Sequence, residues 1–214
     1  MNPLPYLLVK ADAGDLPLSG DSVSLVIATP PYMGTIRLRR GSFCTNNSSE
    51  YLRLRRQFLC EATRIVKPNA HILLSSRRKP AEKSRGARYI IFQVFKKQRS
   101  DSSWTRKQAG FEVFRTHYVD VETFPWWGLP VCLYKALLRR YSKVGDTVAH
   151  VFCGSGNGGI GALELGRKPI LVDLYYHRQT RRRLDRRIRS MLAKDRLGPT
   201  FSSSCLTFFP ATHI

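Results

Sequence analysis

Apolar positions along the chain repeat in two rhythms, and their alternation predicts the fold. Tyr6 to Val9 is a short apolar run, and Ala13 to Asp21 is turn-rich. Ser22 to Ala28 (SVSLVIA) then reads as a buried strand. Over Glu50 to Val66 the period changes. Tyr51, Leu54, Phe58, Ala62 and Ile65 recur at helical spacing, and Leu52, Leu59 and Val66 widen the stripe. Ser48 or Ser49 is the expected cap, and Lys67-Pro68-Asn69 the stop. Ala70 to Ser75 is another buried strand and Tyr89 to Phe95 is strand-like. Gln98 to Ser103 reads as a polar loop, and Phe111 to Tyr118 as an outer strand. Pro130 to Tyr141 predicts a helix with Pro130 in its first turn and Leu133, Ala136, Leu137 and Tyr141 on one side. Tyr175 to Lys194 predicts a very basic helix that buries Leu184, Ile188 and Leu192. Gly198 to Ile214 is an irregular tail, and no internal repeat is visible.

The stretch 148–173 organises the chain. Val148, Val151 and Phe152 mark a strand, and glycines crowd a turn over 154–159. Ile160, Leu163 and Leu165 give a short helix that ends at Gly166, and Pro169 to Val172 is a strand ending on Asp173. Strand, glycine turn, helix, strand and acid make the first half of a nucleotide-binding βαβ unit. Glycines let backbone approach a ligand closely, and a helix N-terminus offers free amide donors. An acid about 20 residues on can accept both ribose hydroxyls. Gly154, Gly156 and Gly159 also fit the dinucleotide spacing, and taken alone such a turn is compatible with simple close packing.

Composition narrows the choice. The 214 residues bound the chain to one domain, or one domain with a small insertion. No apolar run reaches the ~18 residues of a membrane span. The N-terminus lacks a basic start and meets Asp12 early, so no secretory signal is expected. Five cysteines at wide spacings, with no C-x-x-C, point to a reducing, cytoplasmic setting and away from zinc; no metal is expected. The formal charge of +21 calls for a polyanion. Its positive side is rich in Arg, which suits bidentate phosphate and guanine contacts.

A second motif stands far upstream. The buried strand at 22–28 runs straight into Thr29-Pro30-Pro31-Tyr32. Two prolines end the ladder and fix a rigid extended turn. Open α/β sheets keep their active sites at the carboxyl ends of strands. By itself the tetrapeptide could be a stiff loop with a packed Tyr.

Together, TPPY at 29–32 and FCGSGNGGIGALELGR at 152–167 resemble the amino-methylating DNA methyltransferases, which use S-adenosylmethionine. Their catalytic motif is Asp, Asn or Ser, then Pro-Pro, then an aromatic. Their cofactor motif resembles D-P-F-x-G-S-G-T. The order here, with the catalytic motif first and the cofactor motif last, is that of the permuted beta class. The stretch at 124–142 with GDTV after it, and RIVKPNAHILL at 64–74, resemble further family segments, so the likeness covers most of 10–176.

The resemblance implies a three-layer Rossmann-like α/β fold, with a mostly parallel twisted sheet, helices on both faces and permuted motif order. It divides the chain into a catalytic half (1–76), a small basic insertion for target recognition (77–122), a cofactor-binding half (123–197) and a tail (198–214). It implies that Thr29, Pro30, Pro31 and Tyr32 act on a flipped base. Phe152, Gly154, Ser155 and Gly156 would wall the cofactor's methionine part, Asp173 would hold its ribose, and Asp12 would contact its adenine. His150 would be either a substitute polar contact to methionine or a sign of weakened activity. Arg37, Arg39, Arg40, Arg77, Arg78, Trp104 and Arg106 are the candidate contacts to double-stranded DNA, mixing phosphate and stacking groups. A homodimer and a cognate restriction endonuclease are the candidate protein partners.

The chain departs from the family pattern. Thr29 stands where Asp or Ser is usual, and a hydroxyl leans toward cytosine N4 over adenine N6. His150 and Val151 replace Asp and Pro, and Asn157 and Gly158 stand where threonines are common. Three readings follow: an active DNA methyltransferase, a weakened nucleic-acid-binding protein on the same fold, or an RNA or protein amine methyltransferase.

Overall fold

The computed structural model describes residues 5–30, 47–76, 88–100, 103–116, 129–175 and 177–193. In chain order they form β1 (Leu7–Val9), β2 (Val23–Ala28), α1 (Ser48–Ile65), β3 (Val66–Ser76), β4 (Arg88–Ser100) and β5 (Ser103–Thr116). There follow α2 (Val131–Tyr141), β6 (Thr147–Val151), α3 (Asn157–Glu164), β7 (Lys168–Val172) and α4 (His177–Ala193). The strands make one seven-stranded sheet of order β1-β7-β6-β2-β3-β4-β5. The first five in that order pair in parallel, and β4 and β5 add an antiparallel meander at one edge.

The central strands are short and almost wholly buried, as parallel strands covered on both faces must be. On one face α1 lays Leu54, Phe58, Leu59 and Ala62 against Val26, Ala28, Ile72 and Leu74. On the other, α2 sets Leu133, Tyr134, Leu137 and Leu138 against Leu25, Ile27, Leu73 and Phe92. On that side too, α3 and α4 close a smaller cluster around Ile160, Leu163, Leu171 and Leu184. The result is the three-layer α/β arrangement expected. Its amino-terminal edge is tied by Arg167, whose guanidinium donates to the carbonyls of Leu165 and Ser142 at 2.5 and 2.9 Å.

Several local expectations shift. Asn47, not a serine, caps α1, its side chain accepting from Ser49 and Glu50 N–H at 2.9 and 3.2 Å. Pro130 is the N-cap of α2, one place earlier than expected, and Ala136 is exposed while Tyr134 and Leu138 take the buried side. The β3 ladder starts at Val66, directly after α1. Asn69 absorbs the bend there at φ 62°, a conformation Asn tolerates better than most residues. Gln98 to Ser100 and Ser103 are strand and not loop: β4 runs to Ser100 and β5 begins at Ser103, paired residue against residue, while Asp101 and Ser102 lie outside the described residues. Backbone pairing at a sheet edge needs no apolar side chains, so polarity misled there. On α4, Met191 is buried and Leu192 is 56% exposed. Seven residues make nearly two whole turns from Leu184, so Met191 shares its face and Leu192 is turned away.

Candidate active site

The sheet changes direction of winding between β6 and β2. From β6 the chain passes through α3 to β7 on one side; from β2 it passes through α1 to β3 on the other. Such a switch point leaves a crevice at the carboxyl ends of the two strands. Thr29 and Pro30, from the start of the upstream motif, lie there, and so does the glycine turn. Ala28 pairs with Val151, the Thr29 amide donates to the Val151 carbonyl at 3.3 Å, and the Thr29 hydroxyl donates to the Phe152 carbonyl at 3.0 Å. Residues far apart in sequence thus touch through the Thr29 hydroxyl and a carbonyl at the start of the glycine turn.

The glycine turn is held open by hydrogen bonds. Phe152 leaves β6 at φ 60°, and Gly154 and Gly156 follow at 50° and 82°. For Phe152 that left-handed backbone is a local strain. Gly154 faces open space among the described residues: apart from its chain neighbours, none places an atom within 4 Å of where a Cβ would stand. Asp173, one residue beyond β7, braces the turn. Its Oδ2 accepts from the Gly154 amide and its Oδ1 from the Tyr175 amide, both at 2.8 Å. From α4, the Thr180 hydroxyl donates to the Gly154 carbonyl at 2.5 Å, and Arg183 donates to the Ser155 carbonyl at 2.9 Å. Neither Thr180 nor Arg183 carries a signal in the sequence, because only the packing of α4 brings them to the turn. Cys153 is buried behind it, and burial, with the nearby Asp173 charge, pushes its thiol pKa well up.

His150 sits beneath Thr29. It is 3% exposed, stacks obliquely on Tyr134 with ring centroids 4.8 Å apart, and places Nε2 3.3 Å from Thr29 Oγ1. Burial drives its pKa down to about 3, so the ring is neutral. Among the described residues Nδ1 has no partner.

The other expected site residues are spread more widely. Asp12 lies three residues past β1 and turns its carboxylate back on the Gly14 amide at 2.8 Å. Beyond Asp173, a cavity of about 470 Å³ is lined by Lys10, Leu174, Tyr175, His177, Arg178 and Arg182 among others. Arg106 pairs with Lys97 in the sheet, and Lys97 reaches the Val66 carbonyl where β3 begins. Arg106 and, two places further toward the hairpin tip, Trp104 therefore stand at the amino-terminal edge, opposite the crevice, and Arg106 points Nη1 at Cys60 Sγ, 3.9 Å away. Pro31, Tyr32, Arg37, Arg39, Arg40, Arg77 and Arg78 lie outside the described residues. Among the described residues no group of three or more His, Cys, Asp or Glu could hold a metal, and no helix is long and apolar enough to cross a membrane.

Solved structures share this architecture. A Thermus thermophilus protein described as a DNA modification methylase matches with a TM-score of 0.58 at 18% identity, over 86% of this chain and 95% of that one. The cytosine-N4-specific PvuII DNA methyltransferase matches at 0.53 and 14%, over 90% and 96% of the two chains. M1.HpyAVI in its SAM complex matches at 0.52 and 14%, over 84% and 99%. No family model and no curated protein sequence matches the chain. At these identities the likeness is one of fold: the chain has the α/β fold of these DNA methyltransferases.

Proposed function

We propose that this chain is an S-adenosylmethionine-dependent DNA methyltransferase of the permuted beta class. It would methylate the exocyclic amine of a flipped base, cytosine N4 in preference to adenine N6. The observation that carries this is the contact of Thr29 with Phe152 across the switch point. The permuted class is supported by the sequence order alone, with TPPY at 29–32 ahead of the glycine turn at 154–159.

The residues present fit the cofactor. A Cβ at Gly154 would project into the open space beside the turn, and the Asp173 carboxylate lies against the Gly154 amide. A carboxylate has about four acceptor sites, enough to orient on two amides and still hold a ribose diol. Leu174 and Tyr175 offer an apolar and an aromatic surface to a purine in the adjoining cavity. When bound, the cofactor supplies an electrophilic methyl group on a sulfonium.

The chain's own residues would do the rest. An exocyclic amine is a poor nucleophile because its lone pair is delocalised into the ring. Acceptors aimed at its two N–H groups draw the nitrogen toward tetrahedral geometry and stabilise the positive charge that develops. The Pro30 carbonyl is one acceptor and the Thr29 hydroxyl the other, with Pro31 stiffening the turn. Tyr32 offers a stacking face to the flipped base. The DNA contacts have a connectivity that supports them. Arg37, Arg39 and Arg40 follow the turn at Pro30, and Arg77 and Arg78 follow Ser76, where β3 ends at the same edge as the crevice.

Nucleosides from duplex DNA treated with the protein and labelled cofactor test the proposal by mass spectrometry. 4-Methylcytosine is expected, and 6-methyladenine moves the preference to adenine. No methylated base, with no cofactor binding by calorimetry, overturns it in favour of a nucleic-acid-binding protein on this fold.

A further inference from the structure

We infer that His150 is a positioning residue: with the Phe152 carbonyl it commits the single Thr29 hydroxyl proton inward, so that Thr29 shows only a lone pair to the crevice and selects a base bearing an amino group. The inference rests on the methyltransferase reading and deepens it.

A threonine hydroxyl has one proton and two lone pairs. The Phe152 carbonyl, 3.0 Å away, can only accept, so the proton lies on that line. The left-handed φ of 60° at Phe152 sets the course of the chain at that carbonyl, which gives its strain a use. His150 Nε2, 3.3 Å from the same oxygen, then meets a lone pair and must itself be an N–H donor. A neutral imidazole protonated at Nε2 is bare at Nδ1. The surroundings agree: Nδ1 is buried with no partner among the described residues and faces Gly158, where a Cβ would stand 2.4 Å away. An orphaned acceptor is better tolerated than an orphaned N–H. The opposite tautomer would bury a donor with nothing to receive it.

The consequence is chemical. With its proton and one lone pair engaged inward, Thr29 offers the crevice one acceptor site. The Pro30 carbonyl is also acceptor-only. Two acceptors side by side match the two N–H groups of cytosine N4 or adenine N6. Thymine O4 or guanine O6 would set acceptor against acceptor. His150 thereby tunes amino-against-keto choice without touching the base, and a methionine contact is not what this geometry gives it.

Nitrogen-15 NMR of histidine-labelled protein, with His150→Gln to assign the signal, reads the tautomer directly. A pyrrole-type Nε2 and a pyridine-type Nδ1 are expected, unchanged in form from pH 5 to 8. Kinetics supply the second arm. His150→Gln places an amide N–H near the Nε2 position and should keep kcat within a few-fold. His150→Leu, apolar and of similar bulk, should lose about tenfold or more, with the cofactor KM unchanged in both. An Nδ1–H tautomer in an active wild type overturns this inference alone, as does an equal loss in both variants or a rise in cofactor KM with kcat intact. A wild type that transfers no methyl overturns this inference and the methyltransferase reading together. The NMR arm needs no variant to be active, so a poorly folding leucine substitution cannot shelter the idea.

Discussion

His150 occupies the space that a side chain on Gly158 would need: a Cβ there would lie 2.4 Å from Nδ1 and 2.9 Å from Cε1 of the imidazole. Positions 29, 150 and 158 are thereby linked by direct contact. A ring in place of a short carboxylate requires a bare glycine on the helix above it, and the ring's far nitrogen then reaches a hydroxyl at 3.3 Å.

Gly158→Ala should therefore destabilise the fold, against the usual gain from replacing a helical glycine. Overpacking costs about 1–3 kcal/mol and the propensity gain is about 1 kcal/mol. A net loss near 1 kcal/mol is expected in urea denaturation. Gly161→Ala in the same helix is the comparison. Its Cβ would meet its nearest neighbours at an ordinary 3.5 Å, so that variant should gain stability. Equal effects at the two sites would refute the steric account.

Thr29→Val keeps the shape and removes the hydroxyl. It leaves the buried His150 Nε2 and the Phe152 carbonyl without that partner, at about 1–3 kcal/mol each when no water replaces it. Methyl transfer should fall by at least a hundredfold while cofactor binding persists. Thr29→Ser should retain most of the transfer. Parallel calorimetry and single-turnover assays would separate the two effects.

Stability should fall with acid through a window set by His150. The native ring is held neutral by burial, with a pKa of about 3, whereas the unfolded chain binds a proton below its ordinary value of 6.5. Stability present above pH 6.5 is thus lost as pH falls toward 3, at about 1.4 kcal/mol per pH unit. Between pH 7 and 5.5 the wild type should lose about 1 kcal/mol more than His150→Gln in urea titrations. Parallel pH profiles for the two proteins would contradict this assignment.

Asp173→Asn should weaken the cofactor site at its scaffold. The carboxylate now accepts from the Gly154 and Tyr175 amides, one on each oxygen. An amide group must turn its NH₂ toward one of those donors. A loss of about tenfold or more in S-adenosylmethionine affinity is expected by calorimetry, with a lower melting temperature. Unchanged affinity would remove Asp173 from the site.

Binding of duplex DNA should weaken steeply with salt, as the +21 charge requires. Each phosphate contact contributes about 0.9 to the slope of log affinity against log salt. Replacing Arg37, Arg39 and Arg40 by Gln should lower that slope by about 2 to 3 in filter binding. Replacing Arg106, placed at the opposite edge of the sheet, should change it less.

The sequence by itself determined the elements whose signals are local. The stretch from Val148 to Asp173 was legible because an apolar strand, left-handed glycines and a short helix follow one another within a few residues. So was the buried β2. What local pattern could not supply was partnership. The polar ends of β4 and β5 nearest their hairpin, from Gln98 to Ser100 and from Ser103, pair through backbone groups that carry no side-chain signature, and Met191 displaces Leu192 because a helix face is decided by what it packs on. The meeting of Thr29 with His150 and Phe152 was decided only by tertiary structure, through the pairing of β2 with β6 across more than a hundred residues. Hydrogen bonds and steric exclusion act over a few ångströms, so a residue's role could be assigned only once the fold had chosen its neighbours.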